Sequence, residues 1–351
     1  MPTLSLSEPR QPLHTAILLI NLGSPDAPQR RAVRRYLREF LSDPRVLECS
    51  SLLGRALLRW AIAPLLACIR ARTSSAQYAS IWTTEGAPLR VHSARQAAAL
   101  AARLLCDGHR VRVESAMRYG AQNIRVKLQQ LHRDGIERVL LLPMYPQYSA
   151  AATASAFDAA FAACTRMRNP PEVRTIRHYA DFPPYIAACA QRIRDDWVLR
   201  GRPDFASGDR LLLSFHGLPQ AMIERGDPYG AQCRRTAALL AQALDLSEAD
   251  WQIGFQSRFG PARWLQPYTT SRFKTLGAAK TRRVDVFCPG FTADCLETLE
   301  EIDLRARDIF LRAGGGVYRR IACVNDSSAF IDALAALAVQ HINGWETLDL
   351  S

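Results

Sequence analysis

The stretch LLLSFHGLPQAMIERGDPY, from Leu211 to Tyr229, decides how the rest of the chain is interpreted. Leu211–Phe215 is apolar in four positions of five and is followed by Gly217 and Pro219, a pattern that predicts a buried strand ending in a loop. His216 then lies at the carboxyl end of the strand, where open α/β sheets bind their ligands. A histidine there can accept a proton or bind a metal near neutral pH. The stretch alone equally allows a loop histidine whose ring bonds a backbone carbonyl.

Apolar runs typical of strands alternate with helical patterns along the whole chain. This alternation predicts an α/β fold with mostly parallel sheets flanked by helices. The predicted strands begin at residues 16, 111, 138 and 173 in the first half and at 211, 251, 282 and 317 in the second.

The two halves of the chain resemble each other. ILLINLGSP at 17–25 aligns with the strand and loop at 211–219, and Arg118-Tyr119-Gly120 aligns with Arg258-Phe259-Gly260. Strands that begin with Arg-Val at 138 and 283 follow in the same order. Repeated segments in one order predict a duplicated α/β domain. In this alignment Leu22 takes the place of His216.

The predicted organisation has a flexible N-terminus, two similar domains and a C-terminal helix. A Gly- and Pro-containing segment at 201–209 reads as the linker between the domains. The predicted bounds are 1–13 for the N-terminus, 14–200 for the first domain with a Leu-rich insertion at about 46–72, 201–325 for the second domain, and 326–351 for the C-terminal helix, which we expect to pack back on the first domain.

Charge and cysteine usage narrow the class of protein. The chain has 351 residues, 45 of them basic and 33 acidic, so its net charge of +12 favours anionic partners. We expect no nucleic acid among them, because the arginines are scattered and no zinc-finger or RNA-binding signature occurs. Nine single cysteines without a CxxC motif, and no secretion signal, predict reduced thiols in the cytoplasm.

The Leu-rich insertion allows two interpretations. Val46–Arg72 could be a buried helix, or an exposed apolar lip for a greasy ligand or a membrane surface. Its longest uncharged run, Trp60–Ile69, has ten residues, whereas about 20 are needed to span a bilayer. The segment therefore predicts at most a peripheral membrane contact.

A second loop carries carboxylates that could face His216. Within PGFTADCLETLEE at 289–301, Glu297 and Glu301 are four residues apart and so share one face of a predicted helix. The helix could be acidic because it is solvated, or Glu297 could point into the cleft opposite His216. A histidine and a glutamate are too few ligands for a structural zinc site, which takes four. They suit transient handling of a divalent ion, or proton transfer.

A flat apolar substrate with acidic edges accounts for several other features. These are the Leu-rich insertion, arginines such as Arg118, and aromatic residues near strand ends. The aromatic residues are Tyr119, Tyr145, Tyr148, Phe255 and Phe259.

Several segments resemble the ferrochelatase family. LLLSFHGLP followed by RGDPY at 225–229 is similar to the signature of that family, and four further segments follow in the same order over nearly the whole chain. They are INLGSPD at 20–26, PMYPQYS at 143–149, FQSRFGPARWL at 255–265 and CPGFTADCLETLEE at 288–301.

The resemblance implies a reaction and a site. It implies insertion of Fe²⁺ into protoporphyrin IX, the last step of protoheme synthesis, in a cleft between two Rossmann-like domains. His216 and Glu297 match the residues that face each other across the macrocycle, and we expect both to be catalytic and to handle the iron. Glu301 is expected on the iron path. Leu22, Arg118, Tyr119 and Phe255 match pocket positions, to which we add Tyr148.

Several positions of this sequence differ from other members of the ferrochelatase family, and these differences determine the remaining expectations. Cys323 is the one late cysteine and Ala150 replaces an internal cluster cysteine, so we expect no iron–sulfur cluster and no permanently bound cofactor. Cys295 stands where animal enzymes have histidine. We expect a bacterial, cytoplasmic protein, peripheral at the inner membrane face, acting as a monomer or weak homodimer. The alternatives are a chelatase for coproporphyrin or for cobalt in a corrin precursor, and a non-catalytic tetrapyrrole or metal carrier.

Overall fold

Two parallel four-stranded sheets form the frame of the molecule. The computed structural model describes residues 13–48, 51–345 and 347. The first sheet has the order β2-β1-β3-β4 and the second β6-β5-β7-β8, so the two sheets share one topology. The strands are β1 (Thr15–Asn21), β2 (Arg112–Met117), β3 (Arg138–Pro143), β4 (Glu172–Thr175), β5 (Arg210–His216), β6 (Trp251–Gln256), β7 (Arg283–Phe287) and β8 (Val317–Arg320). The predicted α/β fold with two similar parallel sheets is confirmed.

Helices flank both sheets. The α-helices are α1 (Arg30–Leu41), α2 (Leu52–Leu57), α3 (Ala63–Ile81), α4 (Pro88–Cys106), α5 (Ile124–Arg133), α6 (Ser155–Cys164), α7 (Pro183–Arg200), α8 (Gln220–Glu224), α9 (Tyr229–Ala243), α10 (Thr269–Ala278), α11 (Arg307–Arg312) and α12 (Ser328–Ile342). Three π-helical segments, Leu58–Ile62, Ala150–Ala154 and Glu297–Ala306, each continue directly into an α-helix.

β5 lies in the interior of the second sheet because its side chains are apolar on both faces. Leu211–Leu213 and Phe215 are fully buried, as expected for a strand of a parallel sheet covered by helices on both sides. β5 pairs with β6 and β7, and its last residue, His216, stands beside Gln256. β1 holds the same place in the first sheet, between β2 and β3.

The halves share a hydrophobic core. One cluster of buried residues contains Leu19 of β1 and Leu142 of β3 together with Leu213 and Phe215 of β5. Helix α12 packs against α7 and α4 of the first half, where an Arg103–Asp332 ion pair (2.7 Å) joins it to α4. Residues 1–12 of the predicted flexible N-terminus, and residues 346 and 348–351 of the predicted C-terminal segment, lie outside the described residues.

The Leu-rich insertion forms α2, a π-helical turn and α3, which extends nine residues beyond the predicted end at residue 72. One face of α3 is buried through Ala63, Ala67, Ala71 and Tyr78 and packs against α1. The opposite face is apolar and open to solvent, so the insertion combines both predicted interpretations. Leu53, Leu57, Trp60, Leu65 and Ile69, which we call the apolar lip, are 57–85% exposed.

Candidate active site

A cavity of about 350 Å³ opens where the carboxyl ends of β1, β3, β5 and β7 meet. Its volume is within the range of about 300–1,000 Å³ that is usual for small-molecule sites. The walls are mainly apolar and come from both halves of the chain. Side chains lining it include Leu22, Tyr36, Phe40, Leu47, Tyr78, Tyr145, His216, Leu218, Met222, Phe259, Trp264, Phe291 and Glu297.

His216 is the last residue of β5 and lines this cavity. Its Nδ1 lies 2.6 Å from the carbonyl oxygen of Gly217, which assigns the proton to Nδ1 as the donor. Nε2 has no hydrogen-bond partner among the described residues, so its lone pair is available. The backbone bond and the functional position therefore coexist, because the bond fixes the tautomer that leaves Nε2 able to accept a proton or bind a metal.

Glu297 is the first residue of the long π-helical segment and lines the same cavity. Its backbone carbonyl accepts a hydrogen bond of 3.0 Å from Nε2 of Gln256 at the end of β6. Tyr36 and Tyr78 are buried near its carboxylate. Burial, followed by neighbouring groups that include Glu297, raises the pKa of both phenols well above the ordinary value. Both phenols near Glu297 therefore stay protonated.

The thiol of Cys295 also lies beside Glu297. Burial, and then the nearby carboxylate, raises the pKa of this thiol well above its ordinary value. Cys295 therefore stays a protonated, neutral wall residue near neutral pH, since only the thiolate is a strong nucleophile or metal ligand.

Glu301 lies about one turn beyond Glu297 but binds the protein itself. Its two carboxylate oxygens accept hydrogen bonds from the backbone N–H of Ser257 (2.8 Å) and from the Ser257 hydroxyl (2.5 Å). The carboxylate thereby ties the π-helical segment to the loop after β6. Its place on an iron path stays a prediction.

Of the five residues predicted to form the pocket, Leu22 lines the cavity. Arg118, Tyr119, Tyr148 and Phe255 are not among the described residues that do so. Their surroundings show what they contact instead.

Arg118 and Tyr119 converge on one buried carboxylate, that of Asp43. Oδ2 of Asp43 accepts hydrogen bonds from Arg118 (2.5 Å), from the Tyr119 hydroxyl (2.7 Å) and from the Ser155 hydroxyl (2.5 Å). The Tyr119 ring packs edge-on against Tyr36 and Phe40, two residues of the cavity wall. Both predicted pocket residues therefore support the wall from behind.

Tyr148 and Phe255 pack against other parts of the protein. The Tyr148 ring lies under the guanidinium of Arg177, 4.2 Å from it, and its backbone N–H donates to Gln232 (2.7 Å). Phe255 is 1% exposed and packs against Phe215, with ring centroids 6.3 Å apart.

The RGDPY motif joins the second half of the chain to the first. Arg225 forms an ion pair with Glu48, which follows α1. Oδ2 of Asp227 accepts a hydrogen bond of 2.7 Å from the backbone N–H of Ala150, and its Oδ1 accepts one of 3.0 Å from that of Tyr229. The motif thus connects the two halves of the chain beside residues that line the cavity.

Sequence reasoning did not single out Tyr36, Tyr78 or Asp43. Tyr36 follows Val33 by three residues and so shares the buried face of α1, which is a detectable signal. Tyr78 lies on the part of α3 beyond the predicted insertion. No pattern around Asp43 distinguishes it from a surface aspartate.

The described residues include neither a clustered metal site nor a membrane-spanning helix. They contain no group of three or more His, Cys, Asp and Glu side chains that could hold a metal ion. Over the same ranges, each helix is too short or too polar to cross a bilayer.

Solved structures with the same fold are chelatases or resemble them. SirB from Bacillus subtilis with Fe³⁺ aligns with a TM-score of 0.55 at 13% identity, covering 96% of this chain and 100% of that one. Sirohydrochlorin chelatase SirB from Bacillus subtilis subspecies spizizenii, in complex with cobalt, aligns at 0.51 and 10% identity, with coverages of 96% and 100%. DR2241 from Deinococcus radiodurans, a multi-domain protein with structural similarity to chelatases, aligns at 0.53 and 12% identity, covering 93% of this chain and 55% of that one.

At these identities the solved structures show a shared fold. The sequence itself matches the family model described as ferrochelatase over residues 14–342. The match includes both sheets, the cavity, His216 and Glu297. The chain therefore belongs to the ferrochelatase family and is a metal chelatase.

Proposed function

We propose that the protein inserts Fe²⁺ into protoporphyrin IX to form protoheme. The observation that carries this proposal is the placement of His216 and Glu297 in one apolar cavity between the two sheets. Apolar walls suit the faces of a macrocycle, and the two polar groups suit the exchange of protons for a metal at its centre.

The chemistry requires two proton acceptors or one acceptor used twice. Fe²⁺ replaces two pyrrole N–H protons, so both protons leave the ring as the metal enters and the charge balances. Nε2 of His216 is the proposed first acceptor, because the bond to Gly217 keeps the other ring nitrogen protonated. The Glu297 carboxylate is the proposed partner in proton removal or in stripping water from the iron.

A planar porphyrin offers a crowded hole that a hydrated cation cannot enter. We propose that the cavity walls favour a distorted ring whose pyrrole nitrogens point out of the plane, which is complementarity to the activated state. Tyr36 and Phe40 are suited to this task because Tyr119 braces both of them from behind. Leu22 is the proposed contact to the macrocycle on the first half.

The apolar lip is the proposed membrane contact. Its side chains form a solvent-exposed apolar surface beside Arg59. A surface of this kind can enter the lipid boundary of a cytoplasmic membrane face while the net charge of +12 favours anionic lipid. This location would place the site near a poorly soluble substrate.

The decisive experiment is an anaerobic assay with purified protein, Fe²⁺ and protoporphyrin IX, followed by the heme spectrum. We expect heme to form well above the uncatalysed rate. Parallel reactions with coproporphyrin, and with Co²⁺ and a corrin precursor, test the alternative substrates. Porphyrin binding without insertion of any of these metals would instead identify a carrier.

His216→Ala tests the central residue. Its turnover should fall by about 100-fold to 10,000-fold, the usual contribution of a general base, while porphyrin binding measured by fluorescence quenching stays largely intact. A variant that retained full turnover would contradict the assignment of His216.

A further inference from the structure

Two buried tyrosines hold the backbone at the start of the two loops that carry His216 and Glu297. The Tyr229 hydroxyl donates a hydrogen bond of 3.0 Å to the carbonyl oxygen of His216 itself. The Tyr185 hydroxyl donates to the carbonyl oxygen of Pro289, where the loop leading from β7 to Glu297 begins. One hydroxyl therefore serves each loop.

Both tyrosine hydroxyls are suited to donate hydrogen bonds. Tyr229 is 8% exposed and Tyr185 is 1% exposed. Burial raises the pKa of both hydroxyls well above the ordinary value, so they stay protonated over the whole working range of pH. Each buried carbonyl would lose its partner if the hydroxyl were removed, which is costly in a desolvated site.

The Glu297 loop passes close to the end of β5 and to Tyr229 at Gly290. A Cβ added there would lie 3.3 Å from Cδ1 of Phe215 and 3.9 Å from the Tyr229 hydroxyl oxygen. The start of the Glu297 loop therefore passes directly over the end of β5. The Tyr229 hydroxyl therefore bonds the end of β5 and lies near the start of the Glu297 loop.

The tyrosines come from different halves of the molecule. Tyr229 begins α9 in the second half, whereas Tyr185 is on α7 in the first half. The Glu297 loop gains a second tie to the first half from Thr292, whose hydroxyl donates to the carbonyl of Met144 (2.9 Å). The spacing of the two loops thus depends on donors from both halves.

We propose that Tyr229 and Tyr185 are positioning residues that set the spacing between His216 and Glu297. This inference rests on the proposed function, in which these two residues act together on one macrocycle. Tyr229 also lines the cavity, but its hydroxyl is committed to the His216 carbonyl. Each acts through the backbone carbonyl that it holds.

The test compares Tyr229→Phe and Tyr185→Phe with Tyr179→Phe. Tyr179 is a matched control because it belongs to the same core cluster, its ring packs on Tyr185 with centroids 5.4 Å apart, and its buried hydroxyl has no hydrogen-bond partner in the part of the chain that the structure describes. All three changes remove one buried hydroxyl and keep the ring.

We expect the first two variants to lower kcat for heme formation by about tenfold to 100-fold, since a misplacement of about 1 Å can cost 100-fold. KM for protoporphyrin should change little. Rates are expressed per porphyrin-binding site, measured by fluorescence quenching, so that a smaller folded fraction does not imitate the effect. The ratio of Zn²⁺ to Fe²⁺ turnover, which is independent of enzyme amount, should also change.

Tyr179→Phe should keep the kcat and the metal ratio of the unaltered protein. If the Tyr229 and Tyr185 variants behave like this control, the positioning role is wrong even though the chelatase reaction stands. If the unaltered protein makes no heme, the proposed function itself fails; if His216→Ala is fully active, the assignment of His216 fails while the chelatase reaction stands. Should one tyrosine variant not fold, the other decides the question, because each holds a separate loop.

Discussion

His216 uses its two ring nitrogens for different purposes. Nδ1 is committed to the Gly217 carbonyl, and Nε2 is left for chemistry in the cavity. The arrangement resolves the ambiguity in the sequence, where a bond to a backbone carbonyl and a functional role looked like competing explanations. A single side chain satisfies both because imidazole has two separate polar atoms.

Replacement of Asp43 should lower the stability of the fold strongly. Its carboxylate is 2% exposed and accepts hydrogen bonds from Arg118, Tyr119 and Ser155. Asp43→Asn removes the buried negative charge that pairs with the Arg118 guanidinium. We expect the free energy of unfolding to fall by about 3–5 kcal/mol, the usual cost of breaking a buried pair, as measured by urea denaturation.

Asp158→Asn is the control for that measurement. Asp158 pairs with Arg45 at 2.8 Å, but both side chains are about half exposed, at 52% and 43%. Its loss should cost about 0–1 kcal/mol. Equal effects of the two variants would show that the Asp43 network does not stabilise the fold.

At the scale of single residues, sequence patterns identified side chains at strand ends. They missed side chains that reach the site from other elements. His216 and Leu22 follow apolar runs, and periodicity detects such runs. Tyr78 and Asp43 reach the site, or its supporting wall, from segments distant in sequence from the strands they serve. Their contacts depend on how α1 and α3 pack, which a local pattern does not contain.

Among the elements, the insertion shows a helix with two apolar faces. The face with Ala63, Ala67 and Ala71 packs closely on α1 because small side chains let helices approach. The other face of α3 contributes Leu65 and Ile69 to the apolar lip. Composition alone could not separate the two faces, because both consist of apolar side chains.

The lip can be tested by the double change Trp60→Ser and Leu65→Ser. These side chains are 69% and 61% exposed, so the free energy of unfolding should change by no more than about 0.5 kcal/mol for each. Binding to vesicles that contain phosphatidylglycerol should weaken at least about tenfold, because burying one large apolar side chain contributes about 1.5–3 kcal/mol. Vesicle co-sedimentation measures the loss.

The control for the lip is Val198→Ser and Leu199→Ser at the end of α7. These side chains are 87% and 83% exposed, so they are apolar and accessible in the same way but belong to another element. Vesicle binding should be unchanged in this variant. An equal loss in both variants would indicate unspecific adsorption and remove the lip as a membrane contact.

The helix that begins at Glu297 was predicted as an ordinary helix. The structure has ten residues of π-helix there, Glu297–Ala306, with hydrogen bonds of wider span. A segment this short carries too few residues for a hydrophobic period to distinguish the two forms. The wider turn affects which of Glu297, Glu300 and Glu301 share a face.

At the scale of the whole molecule, the free energy of unfolding should depend on pH through Asp294. This buried carboxylate accepts hydrogen bonds from Arg320 (2.8 Å), Thr298 (2.9 Å) and Asn325 (2.9 Å), and so connects β8, the π-helical segment and the loop before α12. Burial alone would raise the pKa of Asp294, but Arg320 and these hydrogen bonds outweigh it and hold the pKa below the ordinary value.

The sign of the effect follows from that shift. An aspartate in the unfolded chain has a pKa of about 3.9, so ionised Asp294 stabilises the fold above about pH 4, and the contribution is lost as the pH falls below it. Asp294→Asn should flatten the decline of unfolding free energy between about pH 5 and pH 2. Asp308→Asn, at an exposed pair with Arg312, should leave that slope unchanged.

The sequence predicted the overall organisation of the molecule into two similar halves. The repeated segments at 17–25 and 211–219 predicted two similar sheets, which the structure confirms through one shared strand order. The sequence could not show how the halves are joined. The Arg225–Glu48 ion pair and the Asp227–Ala150 hydrogen bond connect residues far apart in the chain, and no repeat or period predicts such pairs.

The core that both halves share has a consequence for folding. Leu19 and Leu142 of the first sheet are buried in the same cluster as Leu213 and Phe215 of the second. Neither half can complete its interior alone, so unfolding should be one cooperative transition rather than two. A chain cut between residues 201 and 209 should therefore keep its pieces associated and lose both together on heating.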